Sequence, residues 1–261
     1  MKKLLIVLLF WITSLPTMAA EKYYVTFVKG DVTLERTKAK VKVGDALNPE
    51  DKLVFIDKTA KVSCISPGKG RFDIKAQGAK PGNKGELLAV LKNSLVPASG
   101  TYHLSTRSLM FEGYDPKTYF HSAETNNHIL LIANEALPVK PSYKMDDINF
   151  FFLQYKNNDR TETKKLQHSS NGLIFHPLLL PGVEKVMLCY QTNVSGASRS
   201  AIIAEFYPVI VSRADIQHQI KLLKDFSGIN DPKKLKKEIL YHLFQNYGKI
   251  GEEVLSTALG L

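Results

Sequence analysis

The first candidate for chemistry is the stretch CISPGKGRFDI, from Cys64 to Ile74. Two glycines around Lys69, followed at once by Arg71, are typical either of a loop that holds an anion or of a tight turn between strands. The Gly-x-x-x-x-Gly-Lys-Ser/Thr spacing of a nucleotide loop is missing, and no helix is predicted to follow and supply aligned amide donors. We therefore predict a hairpin turn and keep Lys69 and Arg71 as candidate anion- or partner-binding residues.

A second basic cluster lies in DPKKLKKEIL, near the C-terminus. Its lysines fall in the first turns of a predicted helix, where the helix dipole disfavours cations. One interpretation is a basic amphipathic helix that lies on anionic lipid. The other, which we favour, is a surface helix whose apolar side packs on a sheet. The candidate binding residues are Lys233, Lys234, Lys236 and Lys237.

Aromatic residues cluster in the turn-rich stretch EGYDPKTYF. Tyr114, Tyr119 and Phe120 are candidates for stacking on sugar rings, and they can equally close the edge of a sheet. The following stretch, HSAETNNH, offers His121 and His128, but their spacing fits no common zinc site. We predict a solvated loop there.

No catalytic motif is present in the chain. There is no His-Glu-x-x-His segment and no Gly-x-Ser-x-Gly elbow, and SGASRS lacks the glycine that an elbow needs after its serine. Cys64 and Cys189 lie in apolar runs, VSCI and VMLCY, which favours burial, although an oxidising compartment would also allow a disulfide between them. The sequence thus predicts no catalytic residue, no metal ligand and no cofactor.

The first twenty residues have the layout of a secretory signal peptide. Lys2 and Lys3 precede an apolar run from Leu4 to Leu15, and small residues end at Ala20. The apolar run is shorter than the ~20 residues of a membrane-spanning helix, so we expect removal after Ala19 or Ala20 rather than retention as an anchor. We predict an exported, non-transmembrane protein, either periplasmic or extracellular.

The charge of the chain bears on its partners. A formal net charge of +10 favours anionic surfaces, such as lipid head groups, an acidic polymer or an acidic envelope protein. Nucleic acid is excluded as a partner by the expected export.

Two domains are predicted after the signal peptide. Residues 21–140 read as a small β-sandwich or barrel-like domain, with a short helix at 83–95 and covering strands from Thr101 to Tyr143. Residues 141–261 read as a β-sheet domain ending in helices that begin after Ser212 and Asp231. Its long apolar strands are INFFFLQYK, GLIFHPLLL, EKVMLCYQT and SAIIAEFYPVIVS, connected in part by the polar stretches NNDRTETKK and NVSGASRS. The fold class is α+β, mainly β.

The N-terminal part contains a series of short motifs, namely GDVTL, VKVGDAL, EDKLVF and TAKVSCISPGKGRF. With this series it resembles the FecR-like extracytoplasmic domain, as found in exported Bacteroidetes proteins of unknown role. The matching positions are Gly30, Val32, Val43, Gly44, Asp45, Leu47, Asp51, Leu53, Ala60 and Val62. It implies an all-β module for recognition and signal relay at the cell envelope, with no catalytic centre. Regulators of the ferric-citrate type carry a cytoplasmic segment and a membrane helix before this module, whereas a signal peptide precedes it here.

These features predict a non-enzymatic binding, scaffold or signal-relay protein of the bacterial cell envelope. Two alternatives stay open. One is a hydrolase of an envelope polymer whose site is assembled from scattered residues. The other is a membrane-surface protein that docks through its basic C-terminal helix.

Overall fold

The computed structural model describes residues 21–76, 113–170, 172–180, 183–194 and 196–259. Strands make up 42% and helices 23% of the structure, which confirms the α+β, mainly β class. The chain divides into two compact units, with residues 21–76 in the first and residues 113–259 in the second. The predicted signal segment 1–20 and the predicted helix at 83–95 lie outside the described residues.

The first unit contains two antiparallel sheets. Its strands are β1 (Tyr23–Lys29), β2 (Val32–Leu34), β3 (Ala46–Leu47), β4 (Leu53–Phe55), β5 (Lys61–Ser66) and β6 (Gly70–Lys75). The larger sheet has the order β3-β1-β5-β6, and β2 pairs with β4. The described strands do not close into a barrel.

Alternation along β1 and β5 builds the core of the first unit. Val25, Val62 and Cys64 point to one face and are fully buried, as the period of two predicts. The opposite face is buried as well, since Ser63 and Ile65 are at most 2% exposed. A strand that is buried on both faces is mostly apolar in sequence. The polar side chains that it does contain usually form hydrogen bonds.

The second unit is built on a five-stranded sheet of order β10-β9-β13-β14-β7 and a three-stranded sheet of order β11-β12-β8. All neighbours are antiparallel except β14 and β7, which run parallel. The strands are β7 (His128–Ile132), β8 (Ala136–Pro138), β9 (Phe150–Asn157), β10 (Arg160–Lys165), β11 (Gln167–His168), β12 (Gly172–Ile174), β13 (Val186–Val194) and β14 (Ala197–Val211). Both sheets contribute to one apolar cluster, which includes Phe151, Leu173 and Phe206.

Four α-helices belong to the described part of the second unit. They are α1 (Pro116–Tyr119), α2 (Arg213–Phe226), α3 (Pro232–Tyr247) and α4 (Glu252–Leu259). Ser212 caps α2 by accepting a hydrogen bond from the amide of Asp215 at 3.1 Å, and Asp231 caps α3, which confirms both predicted helix starts. Helix α3 packs against β7, and α2 contacts α3 and α4.

Residues 113–140 belong to the second unit, where β7 pairs with β14 and β8 pairs with β12. That strands of this segment cover an edge of the first sheet stays a prediction. The prediction that GLIFHPLLL forms one long strand was wrong. Its strand pairing ends at Ile174, and a 3₁₀ turn follows at Pro177–Leu179.

Two polar stretches that were predicted to be connections form strands instead. In NNDRTETKK, Arg160–Lys165 is β10, which follows a turn in which Asn158 and Asp159 have φ angles of 47° and 64°. In NVSGASRS, Val194 pairs directly with Ala197. Neither strand has the apolar alternation from which strands are predicted, because both are exposed and their side chains are mostly polar.

Candidate functional site

The predicted hairpin turn at Lys69 is confirmed, but its two basic residues do not form a pair at the tip. Gly68 and Gly70 have φ angles of 75° and 90°, and the amide of Lys69 donates to the carbonyl of Ser66 at 3.1 Å. Lys69 is exposed and binds the Oε2 atom of Glu21 at 2.6 Å. This hydrogen bond is the main reason that the pKa of Glu21 lies below its usual range.

Arg71 lies in β6 and is only 3% exposed, so the prediction of an accessible anion-binding arginine was wrong. In the register of β5 and β6 it stands opposite Ile65, on the second, buried face of the sheet. Sequence alternation cannot distinguish an exposed face from one that is covered.

The same face holds a polar network that the sequence did not reveal. Lys61 binds the Oδ2 atom of Asp73 at 2.7 Å, and Ser63 donates to its Oδ1 atom at 2.6 Å. Burial lowers the pKa of Lys61, and the carboxylate of Asp73 opposes that shift. Ser63 is fully buried, so this arrangement stabilises the sheet and offers no substrate access.

The aromatic candidates for glycan stacking are mainly core residues. Tyr119 and Phe120 are 3% and 1% exposed, and Phe120 packs on Phe206 with ring centroids 4.4 Å apart. Tyr114 is half-buried and donates a hydrogen bond to Glu253 at 2.6 Å. The stacking prediction was therefore wrong for Tyr119 and Phe120, and the alternative of aromatics that close a sheet describes them better.

The cysteines are both free and buried, so the disulfide that the sequence allowed is not formed. Cys64 lies in the core of the first unit and Cys189 in β13 of the second. Burial raises the pKa of Cys64 to about 12 and also raises that of Cys189, which disfavours the reactive thiolate.

The predicted loop histidines do not converge. His128 stacks on Tyr207 with centroids 4.8 Å apart, and its Nδ1 atom lies 2.8 Å from the carbonyl oxygen of Thr125. Within the described ranges, no group of three or more histidine, cysteine or acidic side chains is arranged to hold a metal ion.

The four candidate lysines of α3 separate into two groups. Lys236 binds Glu252 at 2.8 Å and thereby connects α3 with α4. Lys233, Lys234 and Lys237 are exposed and have no ion-pair partner in the described part of the chain. The sequence analysis could not separate these lysines, because the ion pair of Lys236 depends on where α4 packs.

A surface that the sequence did not predict lies along β14. This strand has fifteen residues, but only Tyr207–Val211 pair with β7. On the side facing away from β13, no described strand lies beside Ala197–Ala204; we call this side the open edge. Residues Ala197–Ile202 are all exposed, and Ile202 is 62% exposed.

The hairpin register gives the direction of the backbone groups on the open edge. Val194 and Ala197 close a two-residue connection, so they form the first hydrogen-bonded pair of the hairpin. Ser198, Ser200 and Ile202 then direct their N–H and C=O groups away from β13. They present a row of backbone donors and acceptors to solvent.

The outer strand β10 and the open edge of β14 differ in their protection against pairing with a further strand. The outer strand β10 carries four charged residues among six, namely Arg160, Glu162, Lys164 and Lys165, as protected edges commonly do. The open edge has one charge, Arg199, and no proline. A β-bulge at Ile203 marks its inner end, since the register shifts between Leu188 and Cys189.

The second unit also has a shallow pocket near β7, lined in part by Leu131, Ala136, Phe175 and Val254. Its volume is 240 Å³ including the part open to solvent. Sites for small molecules usually enclose ~300 to 1,000 Å³. The pocket is therefore a poor candidate for a ligand site.

None of the helices in the described ranges has both the length and the apolar character needed to cross a bilayer. Comparisons with family models, curated proteins and solved structures found no match to this chain. The FecR-like resemblance consequently stays a prediction.

Proposed function

We propose that the protein is a non-enzymatic binding or scaffold protein of the bacterial cell envelope and that it holds a partner protein along the open edge of β14. The observation that carries this proposal is the open edge itself. Its residues from Ala197 to Ile202 are all exposed. An exposed strand edge is a template on which an extended segment of another protein adds a strand.

The chemistry of the open edge suits strand addition. Ser198 and Ser200 are small, so a second backbone can approach closely, and the backbone hydrogen bonds supply affinity regardless of the partner's sequence. Ile202 and Arg199 lie on opposite faces of the strand, since Ile202 pairs with Cys189 and Arg199 with Thr192. They offer an apolar contact on one face and a cationic contact on the other.

The location at the envelope is supported by the N-terminal segment with the layout of a signal peptide. The FecR-like resemblance of the first unit supports recognition or signal relay as the role. A protein with these two features acts in the periplasm or outside the cell, where a relay requires a protein partner. The hydrolase alternative stays an untested prediction.

The test is site-specific photo-crosslinking in the producing cell. A photoreactive residue replaces Ser198 on the open edge or, as the matched control, Thr163 on the charge-protected strand β10. We expect a discrete adduct with one envelope protein from position 198 and none from position 163. Equal adducts from both positions would contradict the proposal.

A second variant tests the pairing itself. Ser200→Pro removes a backbone donor that points outward from the open edge but no hydrogen bond to β13. Ser200→Ala keeps the donor and removes only the hydroxyl. We expect the adduct from position 198 to disappear with Ser200→Pro and to persist with Ser200→Ala, whereas an adduct that persists in both would exclude strand addition.

A further inference from the structure

The turn between α2 and α3 concentrates positive charge. Residues 221–237 contain six lysines and two aspartates, a net charge of +4. Two of these lysines are engaged, because Lys221 binds Asp225 and Lys236 binds Glu252. The remaining four are exposed and have no ion-pair partner among the described residues; we call them the basic turn, and they are Lys224, Lys233, Lys234 and Lys237.

This arrangement opposes the stability of α3. Lys233 and Lys234 occupy its first turn, where the positive end of the helix dipole repels cations. Asp231 offsets part of the repulsion, since its Oδ1 atom accepts hydrogen bonds from the amides of Lys233 and Lys234 at 2.8 and 3.2 Å. An anionic partner at the basic turn would relieve the rest.

We propose that the basic turn docks the protein on the anionic head groups of a lipid bilayer. The choice of residues favours lipid over a specific acidic protein. Residues 221–237 contain no arginine and no tyrosine or tryptophan, which are the usual anchors of protein interfaces. Lysine side chains are flexible and suit the diffuse negative charge of a lipid surface, where each lysine contributes independently to the binding free energy.

The basic turn lies where two helices meet along the chain. Lys224 is in the last turn of α2, and Lys233, Lys234 and Lys237 are in the first two turns of α3. Ile229, in the connection between the helices, is half-buried, whereas all four lysines are exposed. The open edge of β14 involves different residues, so lipid docking is independent of the proposed protein partner.

The test is sedimentation of the full-length protein with vesicles of phosphatidylcholine, with and without about 30 mol% phosphatidylglycerol. The quantity of interest is the binding that phosphatidylglycerol adds, compared between variants. Residues 1–20, with Lys2 and Lys3, are common to every variant, so their contribution cancels in that comparison. The test variant combines Lys233→Glu, Lys234→Glu and Lys237→Glu. The matched control changes three exposed lysines of the first unit, Lys29→Glu, Lys42→Glu and Lys58→Glu.

We expect the added binding to fall more than tenfold in the test variant, since each surface lysine contributes about fivefold. The control should change it less than about twofold, and added salt should weaken the wild-type binding. Circular dichroism should show a folded test variant, because Lys233 and Lys234 lie in the first turn of α3, where glutamate is favourable, and Lys237 is exposed.

Three results would overturn the proposal. If phosphatidylglycerol adds no binding, lipid docking is excluded. If the test and control variants lose binding equally, the net charge of the protein explains the binding and the basic turn does not. Binding to soluble polyglutamate through the same three lysines, with no binding added by phosphatidylglycerol, would assign the basic turn to an acidic polymer instead.

Discussion

Gly248 passes so close to His128 that a Cβ atom on Gly248 would lie 2.2 Å from the carbonyl oxygen of His128. This close contact lets the next residue, Lys249, form backbone hydrogen bonds with β7. Its amide donates to the same carbonyl at 2.9 Å, and its carbonyl accepts from the amide of Leu130 at 2.8 Å. The connection between α3 and α4 therefore continues the sheet at the edge of β7.

Gly248→Ala should destabilise the second unit by about 3 kcal/mol. The added methyl group meets backbone rather than a movable side chain, and Gly248 has a φ angle of 108°, which favours glycine. Gly228→Ala is the control, because Gly228 has a φ angle of 68° but no atom within 4 Å of a Cβ atom. Its cost should be about 1 kcal/mol. Urea unfolding of both variants checks this, and equal costs would show that the close approach does not matter.

The buried ion pair of Lys61 and Asp73 should be sensitive to the loss of one member. Asp73→Ala removes the 2.7 Å carboxylate partner of a lysine whose side chain is only 13% exposed, so we expect a loss of about 3 kcal/mol. The double variant Asp73→Ala/Lys61→Met removes the buried charge as well and should recover about 2 kcal/mol of the loss. A double variant that is less stable than Asp73→Ala alone would contradict the prediction, because the loss would then not come from an unpaired charge on Lys61. Chemical denaturation of the wild type, Asp73→Ala, Lys61→Met and the double variant completes the cycle.

Cys64 should make the first unit less stable in alkali. The folded state holds its pKa at about 12, above the ordinary value of 9.0, so the contribution to stability is complete below pH 9 and is lost as the pH rises from 9 to 12. The slope should be about 1.4 kcal/mol for each pH unit. Cys64→Ala should cost about 1 kcal/mol at pH 7 and should flatten that part of the curve. Denaturation at several pH values, with Cys189→Ala as the control, measures the difference, and parallel curves for wild type and Cys64→Ala would contradict the prediction.

The turn at Lys69 should depend on its glycine and not on its charge. Lys69→Ala removes an ion pair whose side chains are 50% and 30% exposed, so the loss should be below about 0.5 kcal/mol. Gly70→Val should cost about 3 kcal/mol, because a β-branched residue is strained at a φ angle of 90°. Thermal unfolding of the two variants compares them. A Lys69→Ala variant that folds normally but loses binding to an anion or a partner would restore the functional interpretation of this turn.

Local features of the second half were predictable because they depend on neighbours in the chain. Ser212 and Asp231 cap the helices that their side chains predict, since a cap needs only the amides two or three residues further on. The turn at Gly68 and Gly70 follows likewise from the backbone angles that glycine permits. In contrast, β10 was missed because its polar alternation looks the same as that of a solvated loop.

The candidate sites were predicted less well, since each depends on packing between distant segments. Arg71 was a candidate anion- or partner-binding residue, but the face on which it lies is buried. Lys236 was a candidate together with its neighbours, but it forms an ion pair with Glu252 of α4. The open edge of β14 had no signal in composition, because whether a strand has a neighbour is not encoded in that strand alone.

The α+β class, the caps of α2 and α3, and the hairpin turn between β5 and β6 could be predicted from the order of the residues. The class follows from the hydrophobic periodicity of each segment, and the caps and the turn depend on interactions within a few residues. Strand neighbours could not be predicted in this way, nor could the parallel pairing of β7 with β14, the burial of Arg71 or the exposure of Ala197–Ile202. Burial and strand pairing depend on the segments that cover a residue, and these segments lie far away in the chain.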